Sequence, residues 1–226
     1  MNFKKHLIFI LLCPSVAIAD GSTIDKVYHP YVQILEQELE LRMVDANGDQ
    51  VYRLGVGQSL SDSLFVEAYI VAKEENNHFK IEAYEIEAKW QLSEQGEYNV
   101  DWGVLLELEK EQHNDTWEAS ATLLMEKQWG RWVGTANIST IYEWGPEIND
   151  ELESAAALQL RYRYSRYLEP AIEFYKGQNS NGLGPVLMGD IRLASAKKVH
   201  WEVGAILGLN AETPANTWRF LLEYEF

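Results

Sequence analysis

The sequence predicts an all-β fold, an antiparallel up-and-down transmembrane β-barrel of about twelve strands. Three observations predict it. Apolar and polar residues alternate with period 2 along most of the chain, the period of a strand with two unlike faces. Tryptophans stand at the ends of long alternating runs. After the N-terminus no run of ~18 apolar residues occurs, so no helix could span a bilayer.

The pattern is clearest between Trp117 and Trp144, where two runs flank Gly130-Arg131. One face carries Trp117, Ala119, Ala121, Leu123, Met125, Lys127 and Trp129, then Trp132, Gly134, Ala136, Ile138, Thr140, Tyr142 and Trp144. The other carries Glu118, Ser120, Thr122, Glu126 and Gln128, then Thr135, Asn137, Ser139 and Glu143. Trp117 and Trp129 are 12 positions apart, as are Trp132 and Trp144. At ~3.3 Å per residue that is ~40 Å of strand. Tilted by ~45°, it rises ~28 Å, close to the ~30 Å hydrocarbon core of a bilayer. Aromatics at both edges of an apolar band are the girdles of a membrane barrel.

Residues 34–44 place Glu36, Glu38, Glu40 and Arg42 on one face; three glutamates on one strand face cannot point into lipid, so that face is luminal. Asp45-Ala46-Asn47-Gly48-Asp49 reads as a hairpin turn rather than a calcium loop, since the closing position, Val56, is not glutamate. Runs 51–60 and 64–73 follow, with Leu54, Val56, Val66 and Ile70 outward. Run 79–92 places Tyr84, Ile86 and Trp90 outward, with Glu85, Glu87 and Lys89 inward. Run 98–110 places Tyr98, Val100 and Trp102 outward, with Asp101, Glu107 and Glu109 inward. After Trp144, run 152–166 turns Arg161 and Arg163 inward and a very short link leads to 168–176, with Glu173 inward. Run 185–195 carries Asp190 and Arg192 inward, run 199–210 carries Trp201 outward, and the last run starts at Trp218 and ends at Phe226. In this register all eight tryptophans (Trp90, Trp102, Trp117, Trp129, Trp132, Trp144, Trp201 and Trp218) face lipid. Connections are expected to alternate between short periplasmic turns and longer external loops.

The N-terminus reads as a secretory signal over residues 1–19. It has a basic end at Lys4, Lys5 and His6, an apolar run to Leu12, and a small-x-small site at Ala17-Ile18-Ala19. Cleavage there would remove Cys13, the one cysteine, and leave no disulfide or thiolate metal site. Residues 20–33 lack a pattern and are expected on the periplasmic side; residues 34–226 are expected to be barrel. The formal charge is −16, and loss of Lys4 and Lys5 takes it to −18. Such acidity excludes nucleic acid as a partner. The mean hydropathy of −0.28 is no obstacle, because a barrel strand offers lipid only alternate residues.

At the C-terminus, Phe220, Leu222, Tyr224 and the terminal Phe226 resemble the assembly signal of bacterial outer-membrane barrels. The segment from Tyr84 to Trp90, with Glu97-Tyr98 and Asp101-Trp102-Gly103, resembles a group of uncharacterised proteobacterial barrel proteins. In size the chain is similar to small monomeric porins of about twelve strands, such as the acidic-sugar porins. That resemblance implies outer-membrane lipid and lipopolysaccharide as surroundings and the barrel assembly machinery as a partner through the last strand. Those porins have arginine-rich lumens, whereas this chain departs toward glutamate.

The luminal charges are the main functional signal. The acids are Glu36, Glu38, Glu40, Glu85, Glu87, Asp101, Glu107, Glu109, Glu126, Glu173, Asp190, Glu202 and Glu223; the cations are Arg42, Arg53, Lys89, Arg161, Arg163, Arg192 and Arg219. Charged rings set pore selectivity, so they imply a cation-preferring passage for ions or small polar solutes. They fit equally a structural or adhesion barrel whose lumen its own side chains close. A lipid hydrolase is the third reading. The run Gln178-Asn179-Ser180-Asn181-Gly182 resembles the His-x-Ser-Asn-Gly loop of outer-membrane phospholipases, but glutamine stands where the base should be. No catalytic residue, cofactor or metal is expected. The histidines show no paired ligand spacing, and the sequence fixes no oligomeric state.

Overall fold

A computed structural model describes residues 24–75, 78–113, 115–193 and 197–226. The expected signal sequence, with Cys13, lies outside the described residues. Twelve antiparallel strands close on themselves: β1 (Gln37–Ala46), β2 (Asp49–Ser59), β3 (Leu64–Glu75), β4 (His78–Gln91), β5 (Asp101–Glu111), β6 (Trp117–Trp129), β7 (Trp132–Trp144), β8 (Glu151–Tyr162), β9 (Glu169–Lys176), β10 (Asn181–Arg192), β11 (Lys198–Gly208) and β12 (Asn216–Glu225). Each strand pairs with its sequence neighbours, and β1 closes the barrel on β12 through Glu38↔Glu225, Leu41↔Leu222 and Ala46↔Thr217. Closure removes the unpaired sheet edges that lipid cannot hydrogen-bond.

The tryptophan hairpin pairs as its sequence reads, Trp117 opposite Trp144 and Trp129 opposite Trp132. Trp117 and Trp144 stack with ring centroids 6.3 Å apart, and Trp132 packs on Tyr162 at 4.9 Å. Trp90, Trp102, Trp129, Trp132 and Trp201 ring the end where β1 begins and β12 finishes; Trp117, Trp144 and Trp218 lie toward the other. Between the girdles the outer face is apolar and exposed, with Leu41, Leu54, Ile86, Leu106, Leu123, Ile138, Leu158, Ile172 and Leu222 all open. The interior is the reverse, for its fully buried side chains include Arg42, Arg219, Glu40, Glu126 and Glu173. An apolar outside around a charged inside is stable only when lipid is the outer solvent.

Some boundaries differ from the sequence reading, for local reasons. Residues 98–100 belong to the connection before β5, not to the strand. Asp101 accepts from the Gly96 amide (2.9 Å) and Ser93 Oγ from the Trp102 amide (2.8 Å), holding the chain in a turn up to that point. Residues 177–184 fall between the runs 168–176 and 185–195 read from the sequence, yet the chain is strand from Asn181. Its glycines are spacers: a Cβ at Gly184 would stand 1.9 Å from the Ala205 carbonyl oxygen. The link between β8 and β9 runs 163–168 and is not very short. The expected asymmetry of loops is absent. At the terminal end the connections include 92–100, while at the opposite end β1 and β2 are joined by Asn47-Gly48 alone. Asn47 and Gly48 both have positive φ, at 57° and 98°, the conformation of a two-residue hairpin turn.

The largest departure concerns the N-terminus. The patternless segment expected outside the barrel runs inside it, from Ile24 near the far ends of β10 and β11 to Gln33 at the terminal end. Leu35, at φ 61°, reverses the chain into β1. Residues 24–33 are called the strap below.

Candidate functional site

The lumen is the candidate site. Its wall is the inward parity of twelve strands, and the strap divides it. A segment inside a closed barrel cannot join the sheet, because each strand already spends its backbone groups on two neighbours. The strap's backbone is therefore satisfied by wall side chains. Asn137 on β7 takes both sides of one residue, accepting from the Tyr28 amide (2.8 Å) and donating to the Tyr28 carbonyl (2.9 Å). Gln91 Oε1 accepts from the Val32 amide at 2.7 Å. Ile24 and Val27 pack against Ala171, Tyr175, Val186, Met188 and Ile206, an apolar strip on β9 to β11. Pro30 lies over Gly103, where a Cβ would come within 3.0 Å of it.

The strap's side chains bind charge to charge. Asp25 pairs with Arg42 and stands 3.8 Å from Arg53. Lys26 pairs with Glu40 and lies 3.5 Å from Glu223. Tyr28 donates to Glu87 (2.6 Å), Tyr31 donates to Asp101 (2.7 Å), and His29 Nδ1 meets Glu126 at 2.5 Å. Arg219, with no exposed surface, bridges Glu173 (3.0 Å) and Glu202 (2.7 Å) and donates to Tyr175 Oη (2.6 Å) and the Asp25 carbonyl.

The strap leaves cavities on both of its sides among the described residues. One of about 230 Å³ lies toward the terminal end, lined by Glu36, Glu38, Glu67, Glu87, Lys89, Arg161, Asp190, His200, Glu202, Glu223 and Glu225 among others. One of about 160 Å³ lies toward the opposite end, lined by Arg53, Glu85, Glu107, Glu109, Glu118, Ser120, Thr122 and Asn137. Lys26 and Tyr28 line both, so the strap is the partition.

Of the residues singled out from sequence, Glu38, Glu40, Glu85, Glu87, Asp101, Glu173 and Arg219 are buried inside; Glu36, Lys89, Glu107, Arg161 and Asp190 are half-buried there. Arg161 pairs with Glu169 at 3.3 Å. Arg163 lies beyond the end of β8, where it donates to Gln128 (2.9 Å). Arg192 is exposed at the last residue of β10 and forms no part of either cavity wall. Sequence reasoning missed Glu67, and it treated the histidines as isolated. His29 meets Glu126, and His200 stands between Asp190 (2.8 Å) and Glu202 (3.2 Å). The alternation of β3 could have given Glu67, since Phe65, Glu67, Tyr69 and Val71 share its inward face. No local signal could have placed the strap.

The run that resembles a phospholipase loop is divided by the fold. Gln178 donates to the Leu152 carbonyl (3.4 Å), while Asn181 and Gly182 open β10, with Gly182 against Ile24 and Ile206.

No protein-family model matches the chain, and no characterised protein matches it by sequence. Solved structures share its fold. The KdgM porin in complex with disordered oligogalacturonate superposes with a TM-score of 0.55 at 11% identity, over 85% of this chain and 99% of that one. An outer membrane channel from Pseudomonas putida F1 gives 0.56 at 14% identity, over 89% and 98%. The NanC porin gives 0.55 at 9% identity, over 84% and 98%. The fold is thus that of small outer-membrane porins.

Proposed function

We propose that this protein is a small outer-membrane channel that prefers cations and other small polar solutes, with the strap as its constriction. The observation that carries the reading is the charge of the cavity walls on both sides of the partition. Acids outnumber cations in each, and in the smaller cavity Arg53 and Lys26 face Asp25, Glu85, Glu107, Glu109 and Glu118. Rings of carboxylates attract cations and repel anions at short range. One similar structure is described with oligogalacturonate, an acidic sugar chain. Acids predominate in this lumen, so we assign it solutes of the opposite sign to that chain.

Planar-bilayer recording on the pure folded barrel under a KCl gradient tests this. The expected result is small unitary steps with a reversal potential displaced toward that of potassium. Silence, or displacement toward chloride, sinks the proposal.

The second reading, a structural or adhesion barrel, is favoured by the strap's hydrogen bonds to Asn137, Gln91, Glu87 and Asp101, which fix it across the lumen. The same recording separates the two, because a closed barrel stays silent. For the lipid hydrolase reading, glutamine stands at position 178, where the matching loop carries its base, and we propose no enzymatic role.

A further inference from the structure

We propose that Glu38, Glu67 and Glu223 form a binding site for a primary ammonium group, with the strap's own Lys26 as its built-in occupant. The proposal rests on the channel reading and names its solute class: short alkyl amines.

The register builds the site. Glu38 on β1 lies opposite Gly57 on β2, which lies opposite Glu67 on β3; the glycine between them leaves the two acids free to converge. On the other side Glu40 is the partner of Glu223 on β12. Glu38, Glu40 and Glu67 each offer an oxygen within 4.8 Å of the others.

Acids this close need a cation, and the chain supplies one on a tether. Lys26 reaches Glu40 and, at 3.5 Å, Glu223. Arg42 also holds Glu40 (2.7 Å), but it shares its charge with Asp25. This leaves a surplus. Among the described residues no ion pair reaches Glu38 or Glu67. Glu67 is only 3% exposed, and its buried Oε1 has no hydrogen-bond partner. A buried carboxylate oxygen without a donor is costly and is a place where a donor from outside would be held.

Glu38, Glu67, Glu223 and Lys26 all face the 230 Å³ cavity, so a ligand there can reach the acids. An ammonium fits because Lys26 already presents one: a compact charge with three donors. Phe65 and Leu221, on the same wall, suit a short alkyl stem.

The test uses the full folded chain in detergent, titrated with 1,4-diaminobutane by calorimetry. A tethered occupant competes at an effective concentration of roughly millimolar, so the wild type should bind only at about that level. Lys26→Met should strengthen binding at least ~10-fold by removing the competitor, while Lys26→Arg should not. Adding Glu67→Gln to Lys26→Met should abolish the gain. In the wild-type background, Glu67→Gln should weaken binding, which keeps the test open if Lys26→Met does not fold. No gain in Lys26→Met, a gain indifferent to Glu67, or uptake of Ca²⁺ in place of the diamine overturns the proposal. Calorimetry needs no conduction. A silent barrel that binds the diamine through Glu67 overturns the channel alone, and a conducting barrel that ignores it overturns this site alone.

Discussion

At the scale of single residues, the barrel's inside and outside obey opposite rules. Leu123 lies midway between Trp117 and Trp129 on an outward face and is 37% exposed. Its surroundings are hydrocarbon, so Leu123→Arg should destabilise the folded barrel by ~2–4 kcal/mol, while Leu123→Phe should be nearly neutral. Urea titration in lipid vesicles, followed by tryptophan fluorescence, measures both. Inward, Arg219 is the reverse case. It is wholly buried between Glu173 and Glu202, and its removal leaves Glu173 without its cation and Glu202 with His200 alone. Arg219→Met should cost ~3–5 kcal/mol in the same titration, and adding Glu173→Gln and Glu202→Gln should recover much of it. If Arg219→Met unfolds like the wild type, the cluster carries no such weight.

At the scale of elements, the strands were legible because their signal is local. The alternation from Trp117 to Trp144 gave both bounds of β6 and β7, and parity gave the inward side of Glu38, Glu40, Glu85 and Glu87. Reading failed where composition stood in for geometry. Gly182 and Gly184 look like loop residues, yet they are strand residues whose missing Cβ makes room for Ile24 and for the backbone of β11. Gly57 follows the same logic on β2. A Cβ there would stand 2.4 Å from Phe65 Cζ, so the ring of β3 lies across the gap. Gly57→Val should displace Phe65 and destabilise the barrel by ~1–3 kcal/mol. Pairing it with Phe65→Ala should restore part of the loss, and a double-mutant cycle on urea midpoints reads that coupling directly.

At the scale of the whole molecule, the strap decides what the barrel can pass. Its Asp25, Lys26, Tyr28, His29 and Tyr31 anchor it to β1, β4, β5 and β6. The closed sheet contributes every strand pairing without it. A chain lacking residues 24–32 should therefore still fold, shift its mobility on heating as intact barrels do, and join the two cavities into one passage. Unitary conductance in a planar bilayer should rise severalfold over the full chain, with cation preference retained because Glu85, Glu87 and Glu107 stay on the wall. Equal conductance with and without the strap would remove it as the constriction.

The sequence alone determined the strand class and the number of strands, because a period of 2 and the turns that interrupt it are properties of neighbouring residues. Only the tertiary structure decided that a patternless N-terminal stretch crosses the lumen, that His29 meets Glu126 and that Glu38 meets Glu67 across a glycine. Those contacts join residues far apart in the chain. Their partners are chosen by closure of the cylinder and by the demand that enclosed charges and amides be satisfied, and no local pattern records that choice.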